Sequence, residues 1–159
     1  MISGNFYFIT DEYCTRFEKY GVMKNKDTIN GKEHNRPCYY AFEDEMDTNV
    51  YWMIPASSQI PKYRREYDYS IRKYGMCDGI SFGYVKGNYT AFLIQNICPI
   101  KKEHIISEYI DCNSGKPISV PADLQRELNR KARKIIRIAK SGRRICLTDI
   151  MKIYNEIEK

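Results

Sequence analysis

Along the chain, apolar residues fall into short strand-like runs and longer helical stripes, punctuated by glycine and proline. NFYFIT, residues 5–10, predicts an opening strand. Thr10 then caps a short helix, because Tyr13, Phe17 and Tyr20 recur at i, i+4 and i+7 and Gly21 can close it. KNKDTINGKEHN, residues 24–35, is polar and reads as a loop. PCYYAF and VYWMIP flank the acidic EDEMDTN and read as a hairpin. Tyr63, Tyr67, Ile71 and Tyr74 hold helical spacing, so these tyrosines read as core, and Gly75 follows as a stop. ISFGYV and YTAFLIQ flank Lys86-Gly87-Asn88, a second hairpin.

HIISEYI fits a strand or a short helix, CNSGKP a turn and ISV a short strand. Pro121 suits the first turn of a long helix whose Leu124, Leu128, Ala132, Ile135 and Ala139 form one apolar stripe ending near Gly142. Thr148 is placed to cap a last helix with Ile150, Ile153, Tyr154 and Ile157 inward. Hairpins interleaved with helices predict one α+β domain over 1–159 with a mainly antiparallel sheet.

Charge changes this picture. The 159 residues carry a net +6, and the segment 121–144 alone carries +7, so the rest of the chain is slightly acidic. Arg126, Arg130, Arg133, Arg137, Lys140 and Arg144 recur along the helix face opposite the apolar stripe, with Lys134 beside them. Like charges at i, i+4 destabilise a helix, so such a stripe predicts a polyanionic partner. The preference for arginine and the fourteen tyrosines point to RNA or single strands, since guanidinium grips phosphate and aromatic rings stack on bases. Two rivals are a non-catalytic RNA-binding module and an adaptor for an acidic membrane surface.

The six cysteines form no CxxC pair, and His34 and His104 lie outside metal-ligand spacing. No metal or other cofactor is expected. The N-terminus lacks the basic region and cleavage site of a signal peptide, and no run approaches the ~20 apolar residues of a membrane span. Reduced thiols in a cytoplasmic protein follow.

Ser57 and Ser58 stand directly after a strand, with Lys62, Arg64 and Arg65 close behind. Paired hydroxyls there can cap a helix or hold a phosphate. His34 reads as solvated in its polar loop, and Cys38 as strand packing.

The stretch HNRPCYYAFEDEMDTNVYWMIPASSQIPKYRREY resembles toxins of type III toxin–antitoxin systems, the ToxN/AbiQ superfamily, and within it the CptN/TenpN-like branch. The pattern is an Arg-Pro step (Arg36-Pro37), an acidic hairpin, a strand ending in proline, a hydroxyl pair (Ser57-Ser58) and a lysine (Lys62). KYGMCDGISFGYV, AFLIQNICPI and the basic helix extend the likeness over most of the chain. Gln59-Ile60-Pro61 places Lys62 farther from the serines than the family pattern does.

The resemblance implies a compact, barrel-like antiparallel sheet of the MazF/Kid kind with added helices. It implies a metal-independent endoribonuclease that works by 2′-OH attack and leaves a 2′,3′-cyclic phosphate. It further implies inhibition by, and processing of, an RNA pseudoknot antitoxin encoded as tandem repeats, in a two-plus-two toxin–RNA heterotetramer. On that basis Ser57 and Ser58 hold the scissile phosphate, Lys62 neutralises the developing charge or acts as the general acid, Arg36 anchors the phosphate, and Tyr39 or His34 moves a proton. Arg64, Arg65 and the basic stripe bind RNA. Arg130, Arg133 and Arg137 are expected on the antitoxin backbone, and the stripe and the serine turn are expected to share one groove.

Overall fold

The computed structural model describes residues 1–159, the side chain of Ile29 excepted. The chain runs β1 (Phe6–Ile9), α1 (Asp11–Phe17), β2 (Lys26–Ile29), β3 (Lys32–Asn35), β4 (Cys38–Glu43), β5 (Val50–Ser57) and α2 (Ile60–Tyr74). It continues through β6 (Ser81–Val85), β7 (Asn88–Phe92), β8 (Cys98–Lys101), β9 (Ile105–Glu108), α3 (Ala122–Lys140) and α4 (Ile150–Ile157). All strand pairings are antiparallel. The α+β class and both apolar hairpins agree with the sequence pattern. No helix among the described residues is long and apolar enough to cross a membrane.

The main sheet has seven strands, ordered β6-β7-β5-β4-β1-β9, with β8 also paired to β5. One edge of β5 is shared: Val50–Met53 pair with β8, and only Ala56 and Ser57 pair with β7. The sheet curls so that the β6–β7 turn comes back to the segment after β9, and among the described residues no backbone ladder joins β6 to β9. Instead Lys86, in the β6–β7 turn, reaches Asp111, just past β9, at 2.7 Å. The expected barrel is thus a strongly curled open sheet, clasped by side chains.

Helix α3 covers the sheet with the predicted stripe: Leu124, Leu128, Ala132, Ile135 and Ala139 are all buried, against β4 among other elements. Tyr39, Phe6 and Phe92 meet beneath it, with ring centroids about 6 Å apart. Gly83 lies so close to α3 that an added Cβ would stand 2.2 Å from Leu124 Cδ2. Gly83→Ala is therefore expected to cost about 1–3 kcal/mol by overpacking, read as a lower urea midpoint at unchanged m.

Four local expectations are corrected. Residues 24–35 are the exposed hairpin β2–β3, whose turn residues Asn30 and Gly31 both have positive φ, as a two-residue hairpin turn demands. ISV makes only an isolated bridge, Asn5 to Ser119. The last helix is capped by Asp149, whose carboxylate accepts from Lys152 N, while Thr148 is buried with its hydroxyl on the Gly21 carbonyl. On α2 only Tyr63 is buried; Ile71 and Tyr74 face solvent.

Candidate functional site

Past Ser57 the chain leaves the sheet to begin α2, so the edge of β7 from Asn88 to Thr90 is unpaired by β5. A groove of about 340 Å³ opens at that step. Ser57, Ser58, Lys86 and Tyr89 line it, together with His34 and Asp27 from the β2–β3 hairpin; Phe6 and Tyr109 are among its other walls. Three distant segments are brought together: a strand end, a polar hairpin and an apolar hairpin.

The two serines divide the two readings between them. Ser57 is buried, and its hydroxyl accepts the Gln59 N–H at 3.2 Å, so it holds the turn. Ser58 is exposed on the groove, and its carbonyl accepts the Ile60 N–H at 2.9 Å. Helix α2 starts there without a side-chain cap; the Gln59, Ile60 and Tyr63 N–H groups are bonded and Pro61 has none, so the Lys62 N–H is the first-turn donor left without a partner among the described residues.

His34 sits directly opposite Asp27 in the β2–β3 ladder. Asp27 is nearly buried and lies 3.7 Å from Arg36. Arg36 is turned inward: Nη1 donates to the Ala56 carbonyl at 3.0 Å, and the other nitrogens reach the Lys24 and Lys26 carbonyls. It therefore fixes the backbone leading into Ser57 and does not line the groove. Tyr39 is fully buried and donates to Asn129 at 3.1 Å; burial raises its hydroxyl well above the usual tyrosine range. A group so placed cannot exchange protons with a ligand in the groove. Lys62 is exposed on the first turn of α2, over the Tyr63 ring, and also lies outside the groove lining.

The lysine that the structure does bring to the groove is Lys86. Its φ is 52°, and Gly87 follows at 76°, the pair a two-residue hairpin turn requires. Lysine is a poor choice for that left-handed conformation, which asparagine adopts more readily. The hydrogen bond to Asp111 holds the Lys86 ammonium above its usual pKa, and the same contact, with help from Ser114, holds the Asp111 carboxyl at about 2. Lys86 is thus fixed as a cation at the groove mouth.

The basic stripe stands apart: no residue of α3 lines this groove. Acids from elsewhere in the chain meet several of its members. Arg133 pairs with Glu45 at 2.9 Å and lies over Phe42, Lys134 pairs with Asp78 at 2.5 Å, and Lys140 pairs with Asp44 at 2.8 Å. Lys131 is buried against Ile80 and Ser81. Arg126, Arg130 and Arg137 are exposed and form no ion pair among the described residues. Arg144 donates to the Leu147 carbonyl. Arg65 is exposed on α2, while Arg64 lies over the Phe82 ring and donates to Tyr89. Arg133, Arg137 and Lys140 line a separate cavity of about 370 Å³ with Asp44 and Trp52.

All six thiols are free. Burial pushes Cys38 up to about 12 and Cys14 up to about 11, which suits packing and not nucleophilic attack. No group of three or more His, Cys, Asp and Glu side chains converges among the described residues.

No protein-family model matches the sequence, and no curated protein sequence matches it significantly. Solved structures do. AbiQ, a lactococcal anti-phage endoribonuclease belonging to the type-III toxin-antitoxin system, superposes with a TM-score of 0.66 at 15% identity, over 96% of this chain and 94% of that one. A protein from a bacterial antiviral system regulated by a processed non-coding RNA superposes with a TM-score of 0.63 at 9% identity, over 97% of both chains. At these identities the likeness is one of architecture, and this chain is built, nearly end to end, on the fold it shares with AbiQ.

Proposed function

We propose that this chain is an endoribonuclease toxin of a type III toxin–antitoxin system, cutting RNA in the groove at Ser58. The observation that carries this reading is the convergence of an exposed serine, an imidazole and a fixed ammonium on one groove, in a fold shared with AbiQ. Transesterification needs a hydroxyl-lined seat for the scissile phosphate, a base for the 2′-OH and positive charge for the phosphorane. The Ser58 hydroxyl, with the Lys62 N–H behind it, seats the phosphate. His34 takes the 2′-OH proton. Lys86, held at the groove by Asp111, stabilises the developing negative charge as an ammonium. The 2′-oxygen bonds to phosphorus, the P–O5′ bond breaks, and solvent at the open mouth protonates the departing oxygen. Asp27, the one carboxylate of the lining, is committed to Arg36, which supports a route without a metal.

The inhibitor in this proposal is a repeat-encoded RNA pseudoknot, which the protein itself processes, in a two-plus-two assembly within the cytoplasm. Arg126, Arg130 and Arg137 are its backbone contacts on the outer face of α3.

The test is incubation of nucleic-acid-free protein with mixed-sequence RNA in EDTA, followed by mapping of product ends. Cuts bearing 2′,3′-cyclic phosphate and 5′-OH are expected. Bound but intact RNA would leave a non-catalytic RNA-binding protein. Lys86→Asn sharpens the test. It relieves the left-handed lysine while losing an exposed ion pair, two small and opposed effects on folding. The unfolding midpoint should stay close to the parent's while cleavage falls tenfold or more.

A further inference from the structure

One face of the β6–β7 hairpin carries Phe82, packed on the smaller core cluster and against Tyr67 of α2, and beyond it Tyr84 and Tyr89, which are exposed. Strand alternation turns Ser81, Gly83 and Val85 toward α3 and the core, and Phe82 and Tyr84 the other way; the register pairs Tyr84 with Tyr89 on that outer face. Phe82 and Tyr89 stack with centroids 5.7 Å apart and planes 17° apart, and Tyr84 lies 5.2 Å from Tyr89. Arg64 places its guanidinium 4.0 Å over Phe82 and donates to the Tyr89 hydroxyl at 2.7 Å. Tyr84 is nonetheless 65% exposed and Tyr89 37%. Tyr89 is also a wall of the groove, so this surface begins at the candidate site and runs outward to the last strand of the sheet.

A surface of this kind needs an occupant with flat, polarisable faces and negative charge. The exposed large side chains of the hairpin are aromatic, not aliphatic, and the cations Arg64, on α2, and Lys86, in the hairpin turn, border them. The rings and the guanidinium are already locked against one another, so a stacked ligand orders little that is loose. Unpaired bases fit: every base has a π-face, and its phosphate follows the cationic border.

We infer that the outer face of β6–β7, centred on Tyr84 and Tyr89, is a stacking platform for unpaired bases flanking the phosphate held at Ser58. The inference rests on the groove being an RNA site. It makes the protein select single-stranded over duplex RNA at the nucleotides beside the cut, because a paired base cannot leave its own stack to lie on tyrosine.

The experiment uses a single-stranded, fully 2′-O-methylated oligonucleotide, which cannot be cut by 2′-OH attack, and its duplex with a complementary strand. Affinity is read by fluorescence anisotropy for the parent protein, Tyr84→Ala and Tyr84→Phe. Tyr84→Ala should weaken single-strand binding roughly 5- to 100-fold, Tyr84→Phe should bind like the parent, and the duplex should bind weakly to all three. Unchanged binding by Tyr84→Ala overturns the platform, as does a loss of equal size in Tyr84→Phe. So does duplex binding as tight as single-strand binding. Cleavage of ordinary RNA by the parent is measured alongside. Cleavage with an unchanged Tyr84→Ala affinity keeps the nuclease and removes the platform. A Tyr84→Ala defect in a protein that cuts nothing keeps the platform and removes the nuclease.

Discussion

Ser58→Ala is expected to lower RNA cleavage by about 10²–10³-fold with little change in stability, and Ser57→Ala to show the opposite balance. The loss expected for Ser58 is that for one donor aimed at charge developing in a transition state. Its side chain is exposed on the groove, so removing the hydroxyl leaves no buried group without a partner. The Ser57 hydroxyl is buried and takes the Gln59 N–H. Its removal leaves the N–H of exposed Gln59 to water and costs about 0.5–1.5 kcal/mol, with activity falling only as far as the turn loosens. Single-turnover cleavage and urea unfolding of both variants separate the two roles. Equal defects in both assays for both serines would show that the pair acts only as a turn.

Asp44→Ala is expected to be the most damaging single change to the fold. The Asp44 carboxylate is 2% exposed and accepts from Trp52 Nε1 at 2.9 Å, Tyr154 Oη at 3.0 Å, Lys140 Nζ at 2.8 Å and Met46 N at 2.9 Å. It joins the β4–β5 turn, the buried indole, α3 and α4 at one point. Alanine leaves the buried Trp52 and Tyr154 donors without their acceptor, while the Lys140 side chain, 32% exposed, can turn to water, so the cost is about 2–4 kcal/mol, mainly from the stranded donors. Burial works to raise the Asp44 carboxyl, but the hydrogen bonds from Lys140, Met46, Trp52 and Tyr154 outweigh it and hold the group at about 2. Because the folded value lies below the unfolded one, this stabilisation is complete above about pH 4 and is lost as pH falls through about 2. The parent protein's midpoint should therefore drop across that window, and the drop should be smaller in the variant.

The elements legible in the sequence are those with local signals. The β4–β5 and β6–β7 hairpins, α2 and α3 announce themselves by apolar periodicity bounded by Gly75, Gly87, Pro121 and Gly142. The β2–β3 hairpin is missed because its strands are polar and exposed, although Asn30-Gly31 is a strong turn signal. With it goes the correct placing of His34, which reads as solvated loop and instead borders the groove. Ser57 and Ser58 are legible as a pair, but only depth separates their roles. Lys86 reads as nothing more than a turn residue, since what carries it to the groove is the curl of the whole sheet. An exposed lysine at a left-handed turn position is the one local hint. The charge stripe of α3 looks unopposed along its own helix because Asp44, Glu45 and Asp78 arrive from far along the chain. Arg36 fits the family spacing, yet its guanidinium turns inward onto the Lys24, Lys26 and Ala56 carbonyls, and Tyr39 lies in β4, whose first four residues are all buried, a depth the run of six residues does not reveal.

The ion pair between Lys86 and Asp111 has one more consequence. A barrel closed by backbone hydrogen bonds keeps its bore whatever the buffer. Here the seam between the sheet ends is bridged by an ion pair between partly exposed side chains, and salt weakens such a contact once the Debye length shrinks toward its own span, about 3 Å near 1 M. Ionic strength thus acts twice on this molecule, once on the attraction for a polyanion and once on how far the sheet ends gape. Turnover should fall more steeply with salt than affinity does, and a disulfide or an amide crosslink across the seam should remove the difference.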